Sequence, residues 1–427
     1  MRVQAPDGEG FPVTTRRIVD ADAARAEAED ALGSPSAVWR RGDDSLTGYG
    51  VAVRLVLTGP ERLRDAAEAW RALAARASVD DEVRSPGSGL VAFGAFAFAD
   101  ASAAESVLLV PRVLIGQRDG SDFLTRVDRV ASSGTLSSAE RARSGNPFPP
   151  EAYAAAVEEA VRRIRAGALD KVVLARDLPI EPTTGLDAAL DALTARYREA
   201  WVFAVDGFFG ASPETLVTVR EGRFGSRVLA GTAQRVADEE QDVAARDALL
   251  GSEKNRFEHA LAVDSLLLTL GDLVEDLVIG RPFALGLPNV WHLATDAVAR
   301  IRPGIGALDL AASLHPTAAV AGAPRSTALA TIADLEPFDR RRYAGPVGWI
   351  DASGDGEWAV GLRSAETESD GRIRAYAGAG VVAGSEAAQE LLETGWKLLP
   401  VVEAVGADPA LTGAAAPRAG SVPAPAR

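Results

Sequence analysis

Short apolar runs closed off by turn residues recur along this 427-residue chain, and they limit it to a fold assembled from many modest elements. None reaches the roughly 18–20 consecutive apolar residues that a bilayer-spanning helix needs. Alternation and glycine punctuation predict strands at Lys171–Leu178, Trp201–Gly210, Arg223–Ala230, Trp291–Ile301, Tyr343–Ile350, Glu357–Ser364 and Arg372–Val382. Turns are expected at Ala211–Glu214, Glu221-Gly222 and Ser353–Gly356, and Gly89–Phe98 reads as a buried strand pair interrupted by glycine. Helical periodicity marks Arg62–Ala77, with Leu63, Ala67, Trp70 and Leu73 on one face, and Glu151–Ala166, stopped by Gly167. It also marks Glu239–Leu270 with a break at Gly251, Ser326–Asp334, and a last helix from Glu386 to Val402 capped by Ser385. Hairpin-joined strands with interspersed helices define the fold class as α+β, with large antiparallel sheets.

The chain is long for one hydrophobic core and ordinary for two, or for one large unit. Ser132–Pro150 reads as a linker or surface loop, and the Ala/Pro/Gly-rich stretch from Pro409 as disordered. The expected organisation is an N-terminal part over 1–145, a main region over 146–405 and a disordered tail over 406–427. A net charge of −15 argues against nucleic acid or an anionic membrane as partner. Any anion site must then be made locally positive by a metal, placed cations or backbone amides. The absence of cysteine excludes disulfides, thiolate metal sites and cysteine nucleophiles. Met1–Asp20 shows no signal architecture, so a cytoplasmic location is expected.

Of 45 basic residues only Lys171, Lys254 and Lys397 are lysine, which leaves 45 − 3 = 42 arginines. Arginine is effectively never deprotonated, whereas lysine can be, so the remaining lysines are candidates for places where arginine cannot serve. Glu390, Glu393 and Lys397 share a helix face amid Leu391, Leu392, Leu398 and Leu399. A carboxylate pair on a buried helix wants a cation. Glu258 follows Lys254 by one helical turn, and two carboxylates from two helices, completed by water and a ligand oxygen, suit Mg²⁺. Gly378, Gly380 and Gly384 have the wrong spacing for a dinucleotide loop, though amides there could cradle a carboxylate.

The motifs DKVVLAR (170–176), GASPE (210–214), LAGT (229–232), SEKNRFEH (252–259) and WHLAT (291–295) continue as LHPT (314–317), LEPFDR (335–340), YAGPVGW (343–349), AGAG (377–380) and ETGWKL (393–398). In this order they resemble the chorismate-utilising enzymes over roughly residues 150–402, and the isochorismate synthases most. All three lysines and all three histidines fall inside the series. The resemblance implies the fold of anthranilate synthase component I, a two-sheet core with surrounding helices. It implies an isomerase that converts chorismate to isochorismate, water attacking ring C2 as the C4 hydroxyl leaves. By motif position Lys171 matches the base and Glu214 the acid. Glu258 and Glu393 match direct Mg²⁺ ligands, with Glu390 and Asn255 reaching the metal through water. Thr232, His292, Arg363, Tyr376, Gly378 and Lys397 match substrate contacts, Arg363 gripping the enolpyruvyl carboxylate. His259 and His315 are read as structural.

Alanine at 230, where many aminodeoxychorismate synthases carry lysine, argues against that activity. No tryptophan-feedback motif is found, and no glutaminase subunit is expected; a monomer or weak homodimer is. Thr232 does not separate water from ammonia or lyase chemistry. Salicylate synthase, which also eliminates pyruvate, is the alternative within the family, and a non-catalytic nucleotide or metabolite sensor is the alternative outside it. The product would serve menaquinone or siderophore biosynthesis.

Overall fold

The computed structural model describes residues 10–128 and 148–413. Among them, strands form two large sheets whose neighbours are antiparallel except at Phe11–Arg17 beside Ala77–Asp81. The larger sheet runs from Gly322–Ala323 through Lys171–Ile180, Ile373–Val381, Ser364–Thr367, Phe208–Ser212 and Trp201–Val205 to six strands of the N-terminal part. The second places Arg223–Gln234 between Val290–Ile301 and Thr215–Arg220, then continues through Gly356–Val360 and Pro346–Asp351 to Val91–Ala95, Ser106–Val110 and Val53–Leu57. The N-terminal part thus supplies strands to both sheets. Trp39 and Phe203 of one sheet pack with Phe93 and Trp349 of the other in a shared apolar cluster.

Helices cover these sheets for local reasons. Pro150–Arg165 opens with proline at its start, buries Tyr153, Val157, Val161 and Ile164, and has Arg162, Arg163 and Arg165 in its last turn. Gly167 then takes a left-handed φ of 77°. Arg62–Ala74 buries Leu63, Ala67, Trp70 and Leu73 as their spacing predicts.

Other segments differ from expectation. The break expected at Gly251 in Glu239–Leu270 is present but falls one residue later, where Ser252 leaves helical geometry and caps the second helix by accepting Asn255 N–H. Gly89–Phe98 contains one strand, Val91–Ala95. Ser385 does not cap the last helix, Ala387–Ala404; its hydroxyl accepts Val382 N–H. Glu357–Ser364 is not one strand, because the chain leaves one sheet at Val360 and enters the other at Ser364. The expected disordered tail is ordered at its start: Asp408 caps a 3₁₀ turn, Pro409–Thr412, in which Thr412 is buried. Most of the Ser132–Pro150 linker and the tail beyond 413 lie outside the described residues.

Candidate active site

The chain crosses between the sheets at Pro213-Glu214 and again at Gly361–Arg363, and the two crossings lie side by side. Val360 N–H donates to Glu214 O at 3.1 Å and Ala211 N–H to Arg363 O at 3.1 Å, so each crossing fixes the other. Arg363 adopts φ 48°, a left-handed conformation uncommon for a residue with a Cβ. Both side chains enter the same cleft.

Glu214 is buried, and burial pushes its carboxyl up to about 8 against the opposing pull of Lys171, Lys397 and Arg363. Arg363 is buried too. Its Nη2 lies 2.7 Å from His292 Nε2, its Nε has no partner, and among the described residues no carboxylate pairs with it. Arginine can only donate, so His292 Nε2 accepts and the ring proton sits on Nδ1, facing Gly231 O at 3.2 Å. Burial first, then Arg363 and Lys397, hold His292 well below the usual imidazole range, consistent with a neutral orienting group.

A bulge puts Gly231 O there. The pairing of Arg223–Gln234 with Val290–Ile301 shifts register between Leu229 and Thr232, aiming Thr232 into the cleft. Thr232 Oγ1 donates to Glu393 Oε1 at 3.1 Å. Lys397 Nζ lies 2.6 Å from the same oxygen and donates to Gly378 O at 2.9 Å. Past Tyr376 the strand Ile373–Val381 keeps its pairing with Lys171–Ile180 but has left its other neighbour, so this edge faces the cleft. The N–H and C=O of one strand residue point the same way, and Gly378 N–H therefore faces the cleft as well.

Lys171, at the head of its strand, is 0% exposed, with Nζ 3.1 Å from Glu258 Oε1. A Cβ at Gly380 would stand 2.1 Å from that oxygen, so any larger residue there would displace the Glu258 carboxylate from this position. Tyr376, its hydroxyl unpartnered, stacks on Tyr343 at 5.4 Å between ring centroids.

Nine of the twelve expected site residues line the cleft: Glu214, Thr232, Glu258, His292, Arg363, Tyr376, Gly378, Glu393 and Lys397. Lys171 stands behind Glu258. Asn255 packs against Gly231, and Glu390 points away to Lys254, 2.7 Å from its Nζ. The expected metal ligands therefore do not converge as a set: among the described residues no group of three or more His, Asp or Glu forms a metal cage. Each of the three lysines instead pairs with one of the three glutamates. The donor chemistry nevertheless suits a hard cation, since Glu258 and Glu393 both bring carboxylate oxygens to the cleft.

Tyr343 and Arg340 also line the cleft and were not singled out from the sequence, although both lie in quoted motifs. His259, with Nε2 2.7 Å from Thr295 Oγ1, and His315, with Nε2 3.0 Å from Phe98 O, are buried core groups as expected. Gly378 and Gly380 lie inside a paired strand, which does not form a phosphate loop.

A buried carboxyl that burial pushes up to about 8, a guanidinium without a carboxylate partner and a lysine buried just behind the cleft suit an acid–base site for a small anion. Residues 129–406 match the family described as chorismate binding enzyme. The isochorismate synthase DhbC of Bacillus subtilis is 38% identical over 278 residues, which cover 61% of this chain and 70% of that protein. MenF, the menaquinone-specific isochorismate synthase of Escherichia coli, matches in structure with a TM-score of 0.75 at 26% identity, covering 94% of this chain and 96% of that one. Anthranilate synthase component I of Streptococcus pneumoniae shares the fold, with a TM-score of 0.66 at 21% identity over 85% of this chain and 92% of its own. The chain belongs to the chorismate binding enzyme family.

Proposed function

We propose that this chain is an isochorismate synthase that moves the hydroxyl of chorismate from C4 to C2. The observation that carries the reading is Glu214, a carboxyl buried in the cleft, where desolvation pushes it up to about 8. It donates a proton to the departing C4 hydroxyl. Lys171 takes a proton from the water that attacks C2, the one role arginine could not fill. Arg363 binds the enolpyruvyl carboxylate with its open donors, and His292 holds the guanidinium in place. Gly378 N–H and Lys397 meet the ring carboxylate, and Thr232 orients Glu393. Glu258 and Glu393 would hold Mg²⁺, with Glu390 and Asn255 reaching it through water; when bound it supplies charge neutralisation at the ring carboxylate.

The same reading makes water the nucleophile, so no glutaminase subunit is needed. It includes a cytoplasmic location and a monomer or weak homodimer; no helix among the described residues is long and apolar enough to cross a membrane. The test is product analysis after incubating the purified protein with chorismate and Mg²⁺. Isochorismate is expected, with turnover abolished by EDTA and restored by Mg²⁺. Salicylate and pyruvate would identify a salicylate synthase, unchanged turnover in EDTA would remove the metal, and unaltered chorismate would sink the reading.

A further inference from the structure

Seven arginines are buried among the described residues: Arg62, Arg118, Arg176, Arg340, Arg342, Arg363 and Arg374. Five of them form ion pairs, and only Arg176 and Arg363 do not. Arg363 faces the cleft, where an anionic ligand can answer its charge. Arg176 does not line the cleft, so its position calls for another account.

It lies five residues after Lys171 on the same strand. Its Nε donates to Thr394 Oγ1 at 2.7 Å and its Nη2 to Thr412 O at 2.8 Å. Thr394 is fully buried beside Glu393 on the last helix, and its own hydroxyl proton goes to Leu391 O at 2.6 Å. Thr412 belongs to the 3₁₀ turn, held by Asp408 accepting Ala410 N–H and closed by Gly413 at φ 71°. One planar fork thus ties the strand of Lys171, the helix of Glu393 and Lys397, and the chain beyond that helix. A buried charge served only by a hydroxyl and a carbonyl is expensive to keep. A rigid two-direction donor fixes the rotation and register of the helix against the strand, which a single flexible donor does not.

We propose that Arg176 is a positioning residue, setting where Glu393 and Lys397 stand relative to Lys171, with the turn Pro409–Thr412 as part of the same device. This rests on the function proposed above, because Glu393 and Lys397 matter only if the cleft works as described there.

The experiment compares Thr394→Val, Thr394→Ser and the chain truncated after Asp408 with the unaltered protein. It reads kcat and KM for chorismate, melting temperature, and Mg²⁺ affinity by calorimetry without substrate. Thr394→Val should lower kcat/KM and Mg²⁺ affinity by about 10–100-fold, the range for loss of a group that orients a ligating side chain. Thr394→Ser, which keeps the hydroxyl, should restore both, and the truncation should move both in the same direction by less. A Val variant or truncated chain that melts earlier but keeps kcat/KM and Mg²⁺ affinity would reduce Arg176 to a structural weld and overturn the proposal. If Thr394→Val does not fold, the truncated chain decides on the same two readings. Should the unaltered protein make no isochorismate, the function fails, while the Mg²⁺ titration still judges the positioning.

Discussion

Arg340 and Arg363 line the same cleft, are both buried, and are opposites. Arg340 forks onto both oxygens of Glu336 and donates to Val320 O at 2.9 Å and Val173 O at 2.6 Å. Glu336 in turn accepts Ala175 N–H at 2.7 Å, so charge and donors are answered within the protein and the cluster welds the helix Arg325–Leu335 to the Lys171 strand. Arg363 has one neutral partner, and burial lowers its affinity for its own proton. A buried charge that the fold satisfies holds structure together, whereas one it leaves open is stabilised only when a ligand arrives. The family resemblance singles out Arg363 and leaves Arg340 inside a motif without a role; in the structure their partners separate them.

The largest effect that would sharpen this contrast is at Glu214, the neutral counterpart beside Arg363. Glu214→Gln keeps the shape but cannot deliver a proton, so kcat should fall by about 10²–10⁴-fold with little change in substrate affinity. The reverse reaction from isochorismate should fall by the same factor, and a loss in one direction only, beyond a change of rate-limiting step, would contradict the role. The same variant should alter stability. The folded carboxyl titrates near 8 rather than 4.5, so its contribution is fully present below about 4.5 and is lost as pH rises through about 8. The ligand-free protein should therefore lose melting temperature across that window, and Glu214→Gln should flatten the slope.

Next in size, Arg340→Gln strands the buried Glu336 carboxylate and should cost about 3–5 kcal/mol in denaturant unfolding. A variant as stable as the parent would break the comparison from the structural side. The smallest effect is expected at Arg363→Lys, which keeps the charge and loses the fork. kcat/KM should drop about tenfold or somewhat more, the worth of a charge-assisted hydrogen bond. Melting temperature should hold, and a large drop there with activity kept would make Arg363 a second Arg340.

Much of this was legible beforehand. The helix faces Leu63–Trp70 and Tyr153–Ile164 declare themselves by spacing, and the scarcity of lysine pointed to three residues that each meet a glutamate in or beside the cleft. The sheet crossing at Gly361–Arg363 was not legible, because the run Trp358–Leu362 carries no charged residue to mark it while pairing with distant strands switches sheets. The expected cap at Ser385 failed for a related reason, since a closer claimant, Val382 N–H, took its hydroxyl. The difference between Arg340 and Arg363 lies in tertiary partners that no local window contains.

The N-terminal strands that enter both sheets also bear on how the chain is made. Val91–Ala95, buried at every residue, takes one neighbour from Ser106–Val110, close behind it, and the other from Pro346–Asp351. Ala37–Arg41 likewise pairs with Trp201–Val205. At typical ribosomal rates of about 5–20 residues per second, the second neighbour of Val91–Ala95 emerges on the order of tens of seconds after it. Throughout that interval an apolar strand edge stands open, the state in which nascent chains stick to one another. The architecture that completes this sheet so late makes translation, rather than refolding of the finished chain, its most vulnerable moment, and dependence on chaperones should peak before residue 346 leaves the ribosome.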